Sequence, residues 1–138
     1  MFFAELRRRF AQRHPGWYFV APAVLCAAAI FWASSLTGSE IPDLGFSIPF
    51  ADKYEHIIAY SVFAALLARA WAKGGPLTRR TAMVCMVVAA LYGVTDEIHQ
   101  LVVPGRTCSP TDWTADVVGA AVGIVVYLFS SRRTSRLG

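Results

Sequence analysis

Three short clusters in this chain could do chemistry: Asp52-Lys53-x-x-His56, Asp96-Glu97-x-His99-Gln100 and Asp112-x-x-x-Asp116. Carboxylates and imidazoles of this kind can move protons, hold a divalent cation or knot helix ends together by charge pairing. Arg106 lies between the second and third clusters and could grip an anion together with Lys53. Two questions follow. Does any fold bring these groups to one place, and why does each cluster border a long apolar run?

Helical spacing answers the first in part. Asp52, His56 and Tyr60 recur at i, i+4 and i+8, one stripe of a helix with Glu55 at its flank. Tyr92, Asp96, His99 and Gln100 share an arc of about 100°, which turns Glu97 away. Asp112, Asp116, Gly119 and Gly123 make a third stripe. Its Gly119-xxx-Gly123 portion has the small-residue spacing that lets helix backbones approach closely.

Some of these residues have purely local explanations. Asp52 and Glu55 have the spacing of a capping box. Ser109-Pro110-Thr111-Asp112 reads as an N-cap, a first-turn proline and a first-turn acid. Tyr60 and Tyr92 suit packing, with each hydroxyl bonded across to a neighbouring helix. Capping does not account for Asp96 and Glu97. They sit near the C-terminal end of their helix, where the macrodipole disfavours negative charge. Arg106, Lys53, a protonated His56 or His99, or a bound cation must offset them. A charge-paired knot and a ligand pocket are both open. The spacings Asp52/His56, Asp112/Asp116 and Asp96/His99 permit ligation of zinc, manganese or iron. No run matches a metal motif such as H-E-x-x-H, so no cofactor is assigned and a divalent metal stays an alternative.

The elements that carry these clusters are membrane spans by composition. The chain has 138 residues, enough for one domain, with 56% hydrophobic and only 16% charged residues and a mean hydropathy of +0.47. Four runs predict an all-α, four-helix transmembrane bundle, with spans at about 17–36, 54–73, 80–100 and 113–131. The domain covers 17–131, between a basic interfacial segment at 1–16 and a basic tail at 132–138. Short connections imply antiparallel neighbours. The segment from Thr37 to Asp52 could lie on the membrane or fold over the bundle.

Charge placement predicts the topology. If the chain starts inside, Arg7, Arg8, Arg9, Arg13, Arg69, Lys73, Arg79, Arg80, Arg132, Arg133 and Arg136 are cytoplasmic, leaving only Lys53 and Arg106 outside. Both termini are then cytoplasmic. The formal charge of +4 is therefore a topology signal with attraction to the inner leaflet, and it argues against nucleic acid. The first span is too long, and too rich in edge aromatics, for a cleaved signal peptide. Cys26, Cys85 and Cys108 show no disulfide framework.

Counting 1.5 Å per residue from Arg80, Arg132 and Lys73 puts Asp96, Asp116 and His56 each about 24–25 Å outward. That is the outer edge of a hydrocarbon layer roughly 30 Å thick, where charges should face the bundle interior.

The stretches "DKYEHIIAYSVFAALLARAW" and "YGVTDEIHQLVVPGRTCSPTDWTADVVGAAVG" resemble the VanZ-like family of small membrane proteins. The resemblance rests on Asp52, Lys53, His56 and Tyr60, then Asp96, Glu97, Gln100, Pro104, Gly105 and Arg106. Asp112, Asp116, Gly119 and Gly123 complete it, with Ser34-Ser35 ahead of them. It covers roughly residues 30–128, and this chain has Asp116 where many members have Asn. It implies a multi-pass protein of the bacterial cytoplasmic membrane with an envelope role; the family's namesake confers low-level teicoplanin resistance, which makes glycopeptide susceptibility a property to test here. It supplies no catalytic residue.

The reading that follows is an outer-leaflet polar pocket that binds or modifies a lipid-linked or glycan head group. Its partners are membrane lipids and a cell-wall precursor or envelope protein. Alternatives are a membrane-embedded, metal-dependent hydrolase or transferase, a helix-packing module without a ligand, and a proton or ion pathway.

Overall fold

A computed structural model describes residues 5, 9, 12–37 and 51–136, with the side chains of the last helix described as far as residue 132. Among these residues lie four helices and no strand: α1 (Gly16–Ser34), α2 (Ala51–Trp71), α3 (Arg79–Gln100) and α4 (Pro110–Arg136). Most of the N-terminal basic segment, and the 38–50 connection expected to lie on or over the bundle, fall outside the described residues.

Local chemistry sets the helix ends. α2 closes with Lys73 in the left-handed region (φ 47°) and Gly74 N–H donating back to Arg69 O at 3.0 Å. That is the six-to-one bond of a Schellman motif. Thr78 caps α3, its Oγ1 accepting from Thr81 N–H at 3.1 Å. Gly105 (φ 76°) turns the chain toward α4, which starts at Pro110 as the Ser-Pro spacing predicts.

α1, α3 and the Pro110–Arg132 part of α4 are long and apolar enough to cross a membrane. α2 is not, because Asp52, Lys53, Glu55, His56 and Arg69 interrupt its apolar run. α2 and α3 each pack against all three other helices, α2 the more extensively, while α1 and α4 do not touch among the described residues. The one helix without an apolar run long enough to cross a membrane thus has the most protein around it. The outer faces invert the pattern of a water-soluble bundle. Leu25 and Trp32 on α1, Met83 and Leu91 on α3, and Val126 and Phe129 on α4 are exposed, while Asp96, Glu97, Asp112 and Asp116 are buried. Such faces suit acyl chains and would be a liability in water.

The expectation of antiparallel sequential neighbours misses the tightest contact. α2 and α4 run parallel, in a register that pairs Lys53 with Asp112, His56 with Asp116, Ile57 with Gly119 and Ser61 with Gly123. Any Cβ on Gly119 would fall 2.9 Å from Ile57 Cα, and one on Gly123 would fall 2.8 Å from Ser61 C. The small-residue stripe therefore abuts backbone, and Ser61 Oγ fastens the crossing by donating to Gly119 O at 2.9 Å. Deeper in, Tyr60, Phe63, Ala64 and Ala68 pack with Cys85, Ala89, Ala120 and Ile124. At the far end Tyr127 donates to Gly75 O at 2.8 Å, and the Arg69 guanidinium lies over the Tyr18 ring, 5.1 Å from its centroid.

Candidate functional site

All three clusters meet at the end of the bundle where α2 and α4 begin and α3 finishes. His56 Nδ1 is 2.7 Å from Asp116 Oδ1, and Asp116 is wholly buried. A carboxylate can only accept, so the imidazole donates from Nδ1. Glu97, 4% exposed, accepts the Ser109 backbone N–H at 2.6 Å through Oε2. That bond ties the end of α3 to the residue before α4. Asp96, 3% exposed, stands beside Ser34 and Gln100.

One turn further out, Lys53 Nζ bridges Asp52 (2.7 Å) and Asp112. Asp52, ahead of the span that begins near Tyr54, is held below the ordinary carboxylate range by that Lys53 hydrogen bond. The Lys53 ammonium is raised in turn, chiefly by its hydrogen bond to Asp112. Asp52 lies within helix α2 and holds Lys53, a role the capping-box spacing did not anticipate.

Two expectations need correction. Glu97 is turned inward, and His99 sits at the edge. The buried arc of α3 is Gly93, Asp96, Glu97 and Gln100, centred on the face toward α2 and α4. His99 faces α1: its ring stacks on Phe31 at 4.4 Å, and its Nε2 is 3.0 Å from Ser35 Oγ. Ser35 donates its one hydroxyl hydrogen to Phe31 O, so His99 is the donor in that pair. Tyr92 shares this edge and donates to Ala27 O at 2.6 Å.

Arg106 is the second correction. It does not neutralise Asp96 or Glu97. Its Nε donates to Leu36 O and its Nη2 to Ala33 O, both at 3.1 Å, so it caps the carbonyl-rich end of α1.

The charge ledger is therefore lopsided. Lys53 is shared between Asp52 and Asp112, Arg106 serves α1, and among the described residues His56 stands amid Asp96, Glu97 and Asp116, with His99 reaching Asp96 only from the α1 side. Four buried oxygens have no hydrogen-bonding partner among the described residues: Tyr60 Oη, Asp96 Oδ1, Glu97 Oε1 and Asp116 Oδ2. Buried polar atoms are rarely left so, and orphans in one place point to a partner from outside the chain.

Beside them a cavity of about 370 Å³ opens between α1, α2 and α3. Its walls are apolar (Cys26, Ala29, Ile30, Ala33, Ala59, Val62), and its polar end presents Ser34, His56, Tyr60, Asp96, Gln100 and Arg106.

The model of the VanZ/LLP1 family matches residues 19–131. The chain belongs to the VanZ/LLP1 family. No curated protein and no solved structure matches it. The VanZ/LLP1 match spans all four helices, which makes the chain a multi-pass membrane protein, and every residue quoted for the resemblance falls at or just below the polar end. In this VanZ/LLP1 chain the Asp116 carboxylate has a structural role as the acceptor for His56.

Gly93 is the residue that spacing arguments missed. A Cβ there would lie 2.9 Å from Asp116 Oδ2 and 3.2 Å from Trp113 Cδ1, so its bareness makes room for the Asp116 carboxylate. Trp113 Nε1 meanwhile donates to Ala90 O at 3.0 Å. A signal existed. Cys85, Ala89 and Gly93 step by four residues along α3, and the next step is Glu97. Following that small-residue stripe would have put Glu97 inside.

Proposed function

We propose that this VanZ/LLP1 protein spans the bacterial cytoplasmic membrane four times with both termini cytoplasmic. In this reading its extracytoplasmic polar pocket binds a lipid-linked or glycan head group. The observation that carries it is the cavity beside the buried carboxylates. Its apolar walls suit an acyl or prenyl chain, while its floor offers unpartnered oxygens on Tyr60 and Asp96. The one-sided distribution of Lys and Arg supports the topology. An influence on glycopeptide susceptibility, as with teicoplanin, would be one consequence of occupying such a head group.

A second reading has its own support. Glu97 on Ser109 N–H, and Lys53 between Asp52 and Asp112, fasten helix ends as a packing knot would. A proton or ion path finds less, because the buried core below the pocket is Phe63, Ala64, Ala68, Ala89, Ala120 and Ile124. Catalytic versions, a hydrolase or transferase, would use His56 and Asp116 as the proton-transferring pair.

Asp96→Asn separates binding from knotting. It removes a charge from the cavity floor and weakens the Asp96 link to Ser34 of α1, while the Glu97–Ser109 and Lys53 bonds stay in place. Native mass spectrometry of detergent-purified protein reads co-purifying lipid, and membrane yield reads folding. Wild-type yield with lost lipid adducts, or with altered teicoplanin susceptibility, supports the pocket. Lost yield supports the knot, and unchanged adducts at unchanged yield would remove Asp96 from the binding reading.

A further inference from the structure

We propose that His56, Glu97 and Asp116 form a site for one divalent cation of the manganese or zinc type. One ligand atom from each lies within 4.8 Å of the other two. Small side-chain adjustments would bring all three onto a single ion. Proximity of acids alone would carry little weight. Here Glu97 Oε1 and Asp116 Oδ2 are each buried without a hydrogen-bonding partner among the described residues, on side chains that are 4% exposed and wholly buried.

The charge argument is independent of those orphans. Asp96, Glu97 and Asp116 are three buried carboxylates against one imidazole. Each further basic group at this end is already engaged: Lys53 with Asp52 and Asp112, Arg106 with the α1 carbonyls, His99 with Ser35. The 38–50 connection, outside the described residues, cannot supply the deficit either, since its sequence GSEIPDLGFSIPF holds no Lys, Arg or His and adds two acids. A cation from solution satisfies both the orphan oxygens and the missing positive charge.

The donor set narrows the ion. One imidazole with two or three carboxylates suits manganese or zinc better than magnesium, which favours water and carboxylate oxygens. Asp96 stands next to the trio as a further oxygen donor, and Tyr60 and Asp96 line the same cavity as His56. The ion site goes beyond the head-group reading, because the protein can hold an ion without holding a lipid.

The experiment uses the full-length protein in detergent, stripped with EDTA, dialysed free of it and reloaded with Mn²⁺, Zn²⁺, Mg²⁺ or Ca²⁺ alone. Elemental analysis and titration calorimetry are expected to give about one equivalent of Mn²⁺ or Zn²⁺ per chain. Glu97→Gln should weaken that affinity by more than about tenfold, as loss of a metal-site carboxylate does. The exposed change Arg79→Gln, at the opposite end of the bundle, should leave it unaltered. Thermal unfolding keeps the test decisive if Glu97→Gln cannot be purified. Wild-type Tm should rise with Mn²⁺ or Zn²⁺ and much less with Mg²⁺ or Ca²⁺. No ion retained, equal Tm shifts from all four ions, or a monodisperse Glu97→Gln protein with wild-type affinity would each overturn the site. If no ion is retained while lipid adducts persist, the cation site alone is overturned and the head-group reading stands.

Discussion

Along α2 and α4 two backbones almost touch, with Gly119 against Ile57 and Gly123 against Ser61. α1 meets α3 differently, through the reach of Tyr92 to Ala27 O and of His99 to Phe31 and Ser35. Both pairs are parallel and both end at the same polar cap. In the first, side-chain volume has been removed and polar groups are paired at short range. In the second, long side chains hold the helices apart and the cavity lies alongside. One half of the molecule fixes the acids and the imidazole, while the other leaves an entrance. That division is what a binding site in a small bundle needs, since a rigid donor set and an accessible void cannot share one interface.

The two histidines give the sharpest way to break this comparison. His56→Leu strips Asp116 of its partner at a position with no solvent, and uncoupling a buried pair costs about 3–5 kcal/mol. His99→Leu removes one half-buried hydrogen bond and a stacked ring contact from the looser half, a loss of about 1–2 kcal/mol. Thermal unfolding in detergent should show the first variant far below the second. Equal losses would mean that the two halves do not differ in rigidity.

The glycines test the same point with a smaller effect. Gly123→Ala forces a methyl group against the Ser61 backbone, which no rotamer change relieves, and overpacking of this kind costs about 2–3 kcal/mol. Gly16→Ala in α1 meets nothing within 4 Å and should hold or slightly raise stability through helix propensity. A Gly123→Ala protein that melts with wild type would show that the backbones do not cross as closely as described.

How much of this could be read from the chain depends on whether the information lies within one helix. Asp112, Asp116, Gly119 and Gly123 are one stripe by four- and three-residue steps, so their shared burial was legible. The partner was not. Sequence order suggests that α4 packs on α3, and nothing local reveals that α2 lies in parallel register against it. Glu97 was misplaced for a related reason: centring the arc on Asp96 and His99 rotates the helix by roughly 65° from the true buried face. Arg106 was unreadable, because a loop side chain goes wherever tertiary structure leaves carbonyls exposed, and those were the final turn of α1. The membrane character followed from composition alone.

Gly93→Ala moves the comparison from the fold to the site. The added methyl would press on Asp116 Oδ2, the free end of a side chain, so the carboxylate can shift where the Ser61 backbone cannot. Stability should fall by only about 1 kcal/mol, the low end of overpacking. The same change should disturb whatever Asp116 and His56 bind, so ligand or ion affinity drops more than Tm. A variant that loses stability and keeps affinity would show that Asp116 is held for packing.

The mildest change probes the looser half. Tyr92→Phe deletes the hydroxyl that donates to Ala27 O and leaves the ring among Phe63 and Tyr60. The Ala27 carbonyl lies inside α1 and keeps its helical partner, so no acceptor is stranded and the loss is about 0.5–1 kcal/mol. The global Tm should hardly move. Amide hydrogen exchange gives the informative readout, because α1 can then part from α3 without breaking the α2–α4 register. Faster exchange confined to the outer half of α1, about residues 27–34, with α4 unchanged, would make the cavity wall a separately mobile element. Equal acceleration through α4 would mean that the four helices open as one unit, and the rigid-and-compliant division would have to be abandoned.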